Sequence, residues 1–343
     1  MKTFKLQCEI LSPIHIGAGY EIDPLSYLIQ NGKLYKISFE NLVASMDEAG
    51  RATFEGLIDK GNLIEIRKFV VGNINKDRDT IFTVEVSAKV ESLYKSKIGD
   101  IQNQLLINPF IRTEGASVPF MPGSSIKGAI RTAVISEAAK NGNLPAPKEP
   151  REIYEFESKV LGYKDGKDDP FRGIKIRDKA PQKDGTVIRD VRNVSKKKGA
   201  SLCANDIQII CEVTHSNITG KTVAFETEIS FDEQLYATHF LSKSLDMEKI
   251  IRSCTDFYKD KMVQEHMKFY KNSDVEASSM QLLDTVLDKT SFLLRLGRFS
   301  GVESVTLDRY RNPRPPGNKS VWGTSRNLTE GVYPMGWMRV IVR

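Results

Sequence analysis

The sequence predicts an α+β protein built as two sandwiches in tandem. Strand-like alternation opens and closes the chain, helical periodicity appears once before residue 200 and again between Asp246 and Lys289, and strand runs recur on both sides of residue 200. That order suits two α+β sandwiches better than a parallel doubly wound sheet. The expected division is one domain over 1–200 and a second over 201–343. With 343 residues and 40% hydrophobic content, the chain is long enough for two cores.

The elements follow in order. Phe4, Leu6, Cys8 and Ile10 alternate with Lys5, Gln7 and Glu9, the pattern of a half-buried strand and not of a signal peptide. This strand leads into a turn, Ser12-Pro-Ile-His-Ile-Gly-Ala-Gly19, and a hairpin is expected around Asn31-Gly32. Residues 38–110 mix short helices and strands. A helix opens near Ser125 after the extended lead-in from Val118, carries its apolar stripe on Ile126, Ala129, Ile130, Ala133 and Val134, and stops near Asn141-Gly142. A short strand is expected around 173–177, with a mobile basic loop at Lys196-Lys197-Lys198. The runs 207–213 and 222–229 read as a hairpin. Amphipathic helical sequence continues to about residue 289, an extended Pro-rich arm covers Arg309 to Gly317, and a strand closes the chain at 336–342.

The formal charge of +6 is unevenly spread. Residues 101–200 carry a net +7 and residues 291–343 a net +6, while 1–100 and 201–290 are net negative. The two positive blocks hold the two most informative segments. In the first, the start of the helix after Gly123 offers outward N–H groups, the positive end of the helix dipole, Ser124 and Ser125, and the cations Lys127 and Arg131 on one face, a construction suited to an anion. In the second, Arg295 to Gly301 is a glycine- and arginine-rich loop. If the blocks meet in space they form a polyanion groove, the footprint of a nucleic-acid binder. Two unrelated solvated surfaces are the plainer alternative.

Motifs for other chemistry are missing. His215 stands where a phosphate-binding loop needs its first glycine, and no GxSxG, HExxH, GxGxxG or DxDxDG pattern occurs. The cysteines Cys8, Cys203, Cys211 and Cys254 form no CxxC pair, so free thiols in a reducing cytoplasm are expected, with no structural metal and no cofactor. No apolar run approaches membrane-spanning length, so no membrane partner is expected. Asp168 and Asp169 lie in a highly polar loop and read as solvated charges. His15 is the one catalytic candidate: beside an RNA backbone it could take a proton from a 2′-hydroxyl, with Lys127 or Arg131 stabilising the transition state. A half-buried histidine bonded to a carbonyl of the glycine turn is the alternative.

The strand-end motif Leu11 to Gly19, the block Phe120 to Arg131, the strand-like Phe171 to Asp178, and the glycine loop Arg295 to Gly301 followed by Pro334-Met-Gly-Trp337 resemble the signatures of the RAMP superfamily of CRISPR-associated proteins. Their order and the Arg-rich tail are most similar to the family of fifth subunits of type III-A Csm effector complexes. The resemblance implies two ferredoxin-like, RRM-like domains and a non-catalytic subunit that caps the 3′ part of the guide RNA. It implies as partners the guide RNA (crRNA), the backbone and small subunits, and a cellular nuclease that trims the guide. By position it implies that Gly17 and Gly19, Ser124 to Arg131 and Gly297 to Gly301 line the RNA path, mainly through phosphate and sugar contacts, with Phe299 able to stack on a splayed base. Arg295, Arg298 and Lys196 to Lys198 supply further cations. Asp23 stands nearly a hundred residues before Gly123, unlike the cleaving aspartate of backbone subunits, and is read as an ordinary turn residue. A metal-independent endoribonuclease using His15, another position in a type III complex, and an assembly protein that hardly touches RNA remain as alternatives.

Overall fold

The computed structural model describes residues 1–100, 104–140, 145, 147, 150–181, 184–196, 202–238, 241, 244–308, 310 and 323–343. Its strands are β1 (Lys2–Ile10), β2 (Tyr27–Gln30), β3 (Lys33–Ile37), β4 (Thr80–Val86), β5 (Ile107–Asn108), β6 (Ile174–Ile176), β7 (Thr186–Lys196), β8 (Leu202–Thr214), β9 (Ala224–Phe231), β10 (Ser291–Arg295), β11 (Ser325–Thr329) and β12 (Trp337–Val342). The helices are α1 (Phe39–Ala44), α2 (Glu48–Asp59), α3 (Leu63–Asn73), α4 (Lys76–Asp79), α5 (Ala88–Lys97), α6 (Gly123–Lys140), α7 (Pro150–Leu161), α8 (Glu233–Ala237), α9 (Met247–Glu265), α10 (Glu276–Leu283) and α11 (Val302–Val305).

Two sheets organise these elements. The first runs β10-β12-β1-β9-β6 and is antiparallel throughout. Leu6, Cys8 and Ile10 of β1 share one cluster with Ile126, Ile130 and Val134 of α6 and Ile250, Cys254 and Tyr258 of α9, so the apolar faces of both helices pack on this sheet. The second sheet runs β2-β3-β4-β7-β8-β5, with β11 added beside β7. Val90 and Tyr94 of α5 cover one of its faces together with Ile29, Leu34 and Ile188, and Val187, Val191 and Val213 on another cluster meet Met335 and Phe299. The helices α1 to α3 carry a small core of their own around Leu42, Phe54, Ile66 and Val70.

This mixed α+β architecture agrees with the expected class, but the sheets do not divide the chain at residue 200. β1 and β6 come from before that point and β9, β10 and β12 from after it, yet all five lie in one sheet, because β1 needs partners on both edges and takes them from the second half. The expected hairpin between 207–213 and 222–229 is also corrected. β8 pairs with β7 and β5, β9 pairs with β1 and β6, and the segment between them crosses from one sheet to the other. The Asn31-Gly32 hairpin does form, with Asn31 at φ 54° and Gly32 at φ 71° as a tight turn between β2 and β3 requires. Cys8, Cys211 and Cys254 are buried free thiols, and Cys203 is half-buried. No described helix is long and apolar enough to cross a membrane.

Candidate nucleic-acid interface

The glycine turn after β1 is fixed by the far end of the chain. Trp337 O accepts the N–H groups of Leu11 and Ser12, Ser12 Oγ accepts Trp337 N–H at 2.8 Å, and Pro13 O accepts Gly336 N–H at 2.8 Å. His15, the next polar side chain, is fully buried. Its Nδ1–H donates to the Glu212 carbonyl at 2.7 Å, and its ring lies near-parallel to Phe299 at 6.0 Å and edge-on to Phe110 at 6.4 Å. Burial lowers its pKa, and nearby Arg298 pushes the same way against the carbonyl bond, so the imidazole stays neutral at neutral pH. Its Nε2 has no partner among the described residues. A histidine enclosed like this presents no atom to a substrate hydroxyl, which overturns its candidacy as a general base.

The loop 295–301 folds directly onto this turn. Gly297, at φ 83°, lies so close to His15 that a Cβ there would overlap the His15 carbonyl oxygen. That carbonyl accepts the backbone N–H of Arg298 at 2.9 Å. The Arg298 side chain is exposed, reaches Asn108 Oδ1 at 2.9 Å and lies over the Phe299 ring at 5.1 Å. Phe299 is half-buried and holds a φ of 75°, uncommon for a residue with a side chain, and Gly301 follows at φ 78° to open α11. Ser300 Oγ–H, between the carbonyls of Leu296 and Gly297 at 2.8 and 2.6 Å, braces the bend.

From these two loops a series of backbone pairings runs toward α6. Gly17 bridges Phe110, and Ile16 O accepts Ile111 N–H at 2.8 Å. Arg112 bridges Pro119, and Met121 exchanges bonds with Lys179 at 2.8 and 3.1 Å. Segments from five parts of the sequence thus lie side by side as one seam. Below it, Glu212, 1% exposed, accepts Phe110 N–H at 2.9 Å, Thr186 Oγ–H at 2.7 Å and the Arg112 guanidinium. A buried carboxylate with this many donors anchors the seam to β8.

The far end of the seam differs from the sequence expectation. The first N–H of α6, at Gly123, already donates to Asp178 Oδ1 at 2.7 Å, and a Cβ on Gly123 would overlap the Ile176 carbonyl. Lys127 Nζ donates to Ile174 O at 2.7 Å, half-buried and with its pKa lowered by desolvation. Arg131 is bound by Asp169 at 2.9 Å, Glu157 at 3.2 Å and Tyr163 Oη at 3.1 Å; burial alone would lower its pKa, but the two carboxylates hold it above its ordinary value. These contacts make the helix start an internal lock between α6 and β6. Arg131, expected as a free cation at the helix start, is instead paired within the fold. Ser124 is exposed and Ser125 half-buried.

Arg295 is corrected in the same way. It is 3% exposed, pairs with Glu265 at 2.8 Å, donates to Met335 O at 3.0 Å and lies over the Trp337 ring. Glu265 also takes the Arg326 guanidinium, so this buried cluster fixes the base of the glycine loop from inside. Lys196 is exposed at the end of β7, away from the seam contacts, while Lys197 and Lys198 lie outside the described residues, as does most of the 309–317 arm. Gly17, Gly19, Gly297, Arg298 and Phe299 are the predicted residues that the fold brings to the seam, while Gly301 lies beside Arg326 and Glu303. Sequence reasoning missed Tyr20, 53% exposed beside Gly19, and Asn108 and Glu21, joined to each other at 3.2 Å. An aromatic directly after the glycine turn was the available signal for Tyr20. Among the described residues, no group of three or more His, Cys, Asp or Glu side chains is placed to hold a metal ion.

Residues 7–302 match the family model of the RAMP superfamily. The chain belongs to that superfamily. It is 30% identical over 138 residues to a Csm5 protein of the CRISPR system of Methanocaldococcus jannaschii, a match covering 39% of this chain and 30% of that protein. To the Csm5 protein of Streptococcus thermophilus it is 29% identical over 195 residues, covering 52% of each. The chain thus spans about half or less of the curated relatives it matches. Among solved structures, it resembles a chain of a Csm–crRNA–target RNA ternary complex of a type III-A CRISPR-Cas system, with a TM-score of 0.73 at 19% identity over 99% of this chain and 100% of that one. It also resembles T. onnurineus Csm5, with a TM-score of 0.61 at 20% identity over 97% and 99% of the two chains. Both likenesses are in fold.

Proposed function

We propose that this RAMP chain is a guide-RNA-binding subunit of a type III-A Csm effector complex, without catalytic activity of its own, that caps the 3′ part of the guide and supports its maturation and the assembly of the complex. The observation that carries the reading is the junction of the two glycine segments through Arg298 N–H and His15 O, which sets an exposed arginine and an aromatic ring beside the small, solvent-facing Gly17 and Gly19. Glycines let an RNA backbone approach closely, Arg298 meets phosphate, and Phe299 with Tyr20 offers π-faces that accept any base. A surface that reads backbone and stacks bases without a base-edge code fits a guide of variable sequence. The full-length likeness to a chain of a Csm–crRNA–target RNA complex supports the same assignment.

The partners in this reading are the guide RNA, the backbone and small subunits of the complex, and a cellular nuclease that trims the guide 3′ end, with the cytoplasm as the compartment. The first sheet supports the ferredoxin-like part of the fold. β12-β1-β9-β6 with α6 and α9 on one face is the order of a βαββαβ unit, into which β10 and the strands of the second sheet are inserted. Photo-cross-linking of the assembled complex tests the proposal: cross-links from the guide 3′ region are expected at Tyr20, Arg298 or Phe299. Cross-links confined to α9 and α10 would refute it.

A further inference from the structure

The loop that leaves the glycine turn carries an acid to which the RNA-binding reading gives no task. Gly17 bridges Phe110 and Ala18 N–H donates to Pro109 O at 3.2 Å, while Ile22 and Ile107 exchange backbone bonds at 2.8 and 3.1 Å. Four residues lie between Gly17 and Ile22 but only two between Ile107 and Phe110, so the longer side bulges outward, and Gly19, Tyr20 and Glu21 are exposed on it. Asn108 stands opposite this bulge. Its Nδ2–H donates to Glu21 Oε1 at 3.2 Å and reaches the Ile210 carbonyl at 3.5 Å, and its Oδ1 accepts Arg298 Nη1–H at 2.9 Å. Both ends of the amide are thereby assigned, and Arg298, Asn108 and Glu21 form a row of cation, amide and carboxylate in fixed order. Glu21 is exposed, and among the described residues no cation pairs with its carboxylate and no donor reaches its Oε2.

An acid beside a phosphate-binding arginine opposes a polyanion unless the ligand brings a hydrogen-bond donor to it. A phosphodiester linkage carries no donor of its own. The ribose 2′-hydroxyl adds one at every nucleotide, and deoxyribose lacks it. Base amino groups also donate, but they change with sequence, so a surface that holds guides of variable sequence cannot rely on them. We propose that Glu21, oriented by Asn108, accepts the 2′-hydroxyl of the nucleotide whose phosphate meets Arg298, and so makes the seam select RNA over DNA. This assignment rests on the RNA-binding reading of the seam. Glu21 is the acceptor, and Asn108 is a positioning residue that holds carboxylate and guanidinium on either side of one amide.

The test measures binding of the full chain to a short single-stranded RNA, to DNA of the same sequence, and to the 2′-O-methyl RNA, which keeps the sugar pucker of RNA and lacks the donor. The parent is expected to prefer RNA over both analogues. Glu21→Gln, an isosteric change at an exposed position, should lower RNA affinity and leave or raise DNA affinity, so that the RNA-to-DNA ratio falls roughly tenfold, the size of one charge-assisted contact. Asn108→Ala should lower the ratio too, and Arg298→Ala should weaken both polymers through lost charge. A carboxylate that acts only by repulsion would raise both affinities equally in Glu21→Gln, so an unchanged ratio overturns the proposal. An unchanged ratio together with failed assembly of the complex overturns it as well, and gives Glu21 to a cation of a neighbouring subunit. The two readings fail separately: salt-sensitive RNA binding with an unchanged ratio removes only the role of Glu21, whereas a parent that binds no RNA overturns the seam reading and this proposal together.

Discussion

The carbonyl of His15 and the backbone N–H of Arg298 meet at 2.9 Å, joining the turn after the first strand to a loop near the end of the chain. One peptide contact therefore decides whether the exposed Arg298 and the half-buried Phe299 stand beside Gly17 and Gly19. The proposed RNA-facing strip depends on this long-range contact, whereas the helix start at Gly123 is held by contacts of its own.

Arg298→Ala should weaken RNA binding nearly uniformly across sequences and reduce the slope of log affinity against log salt by about one. Phe299→Ala should cost about 1–3 kcal/mol with little change in that slope, since it removes stacking and not charge. Titrations of single-stranded RNA at several salt concentrations check both. An unchanged slope in Arg298→Ala would remove that arginine from the interface.

Gly297→Ala should disturb the strip more than any exposed substitution. The added Cβ meets the His15 carbonyl oxygen at a φ of 83°, so strain of about 1–3 kcal/mol is expected together with lost RNA affinity. Gly61, at φ 63° with open space around it, gives the control: Gly61→Ala should show backbone strain alone in thermal melts and leave RNA binding unchanged.

Arg131 and Arg295 should behave as structural residues. Arg131→Ala is expected to lower stability by about 1–3 kcal/mol by leaving Asp169 and Glu157 unpaired, with no change in the salt slope of RNA binding. Glu265→Gln, which unbalances two buried guanidinium groups, should cost about 3–5 kcal/mol. Chemical denaturation reads the stability. A reduced salt slope in folded Arg131→Ala would return that residue to the RNA path.

Stability should fall on acidification through His15. Its folded pKa lies below the ordinary 6.5, so the unfolded chain binds the proton first. The contribution is fully present above about pH 6.5, is lost as pH falls below that value, and levels off below the folded-state pKa. His215, also lowered mainly by burial, adds a loss of the same sign. Denaturant midpoints from pH 7.5 to 5 should therefore drop less steeply in His15→Phe than in the parent. Identical pH profiles would contradict the buried neutral imidazole.

Much of the fold was legible where the pattern was local. α6 follows its apolar stripe, β1 and β12 follow their alternation, and the Asn31-Gly32 turn forms as expected. β7 was not legible, because Arg189, Asp190 and Arg192 make it resemble a polar loop. Within the fold, Arg189 pairs with Glu330 and Asp190 with Lys89. The pairing of strands across residue 200 was not legible, because strand partnership in the first sheet is non-local. At the candidate site, the glycines marked where both loops turn, since turns and close approaches depend on the residue itself. Free and engaged arginines could not be told apart, because Glu157, Asp169 and Glu265 become partners only through folding.

β1 lies between β9 and β12 in the first sheet, with Leu6 opposite both Thr227 and Val342. Strands paired across so long a stretch of sequence must close a large loop first, so this sheet is expected to form late in refolding. The seam inherits that timing through the bonds between Ser12 and Trp337. The turn carrying Gly17 and Gly19 would thus take its final shape only after β12 has docked, which ties the proposed RNA surface to a late contact of the fold.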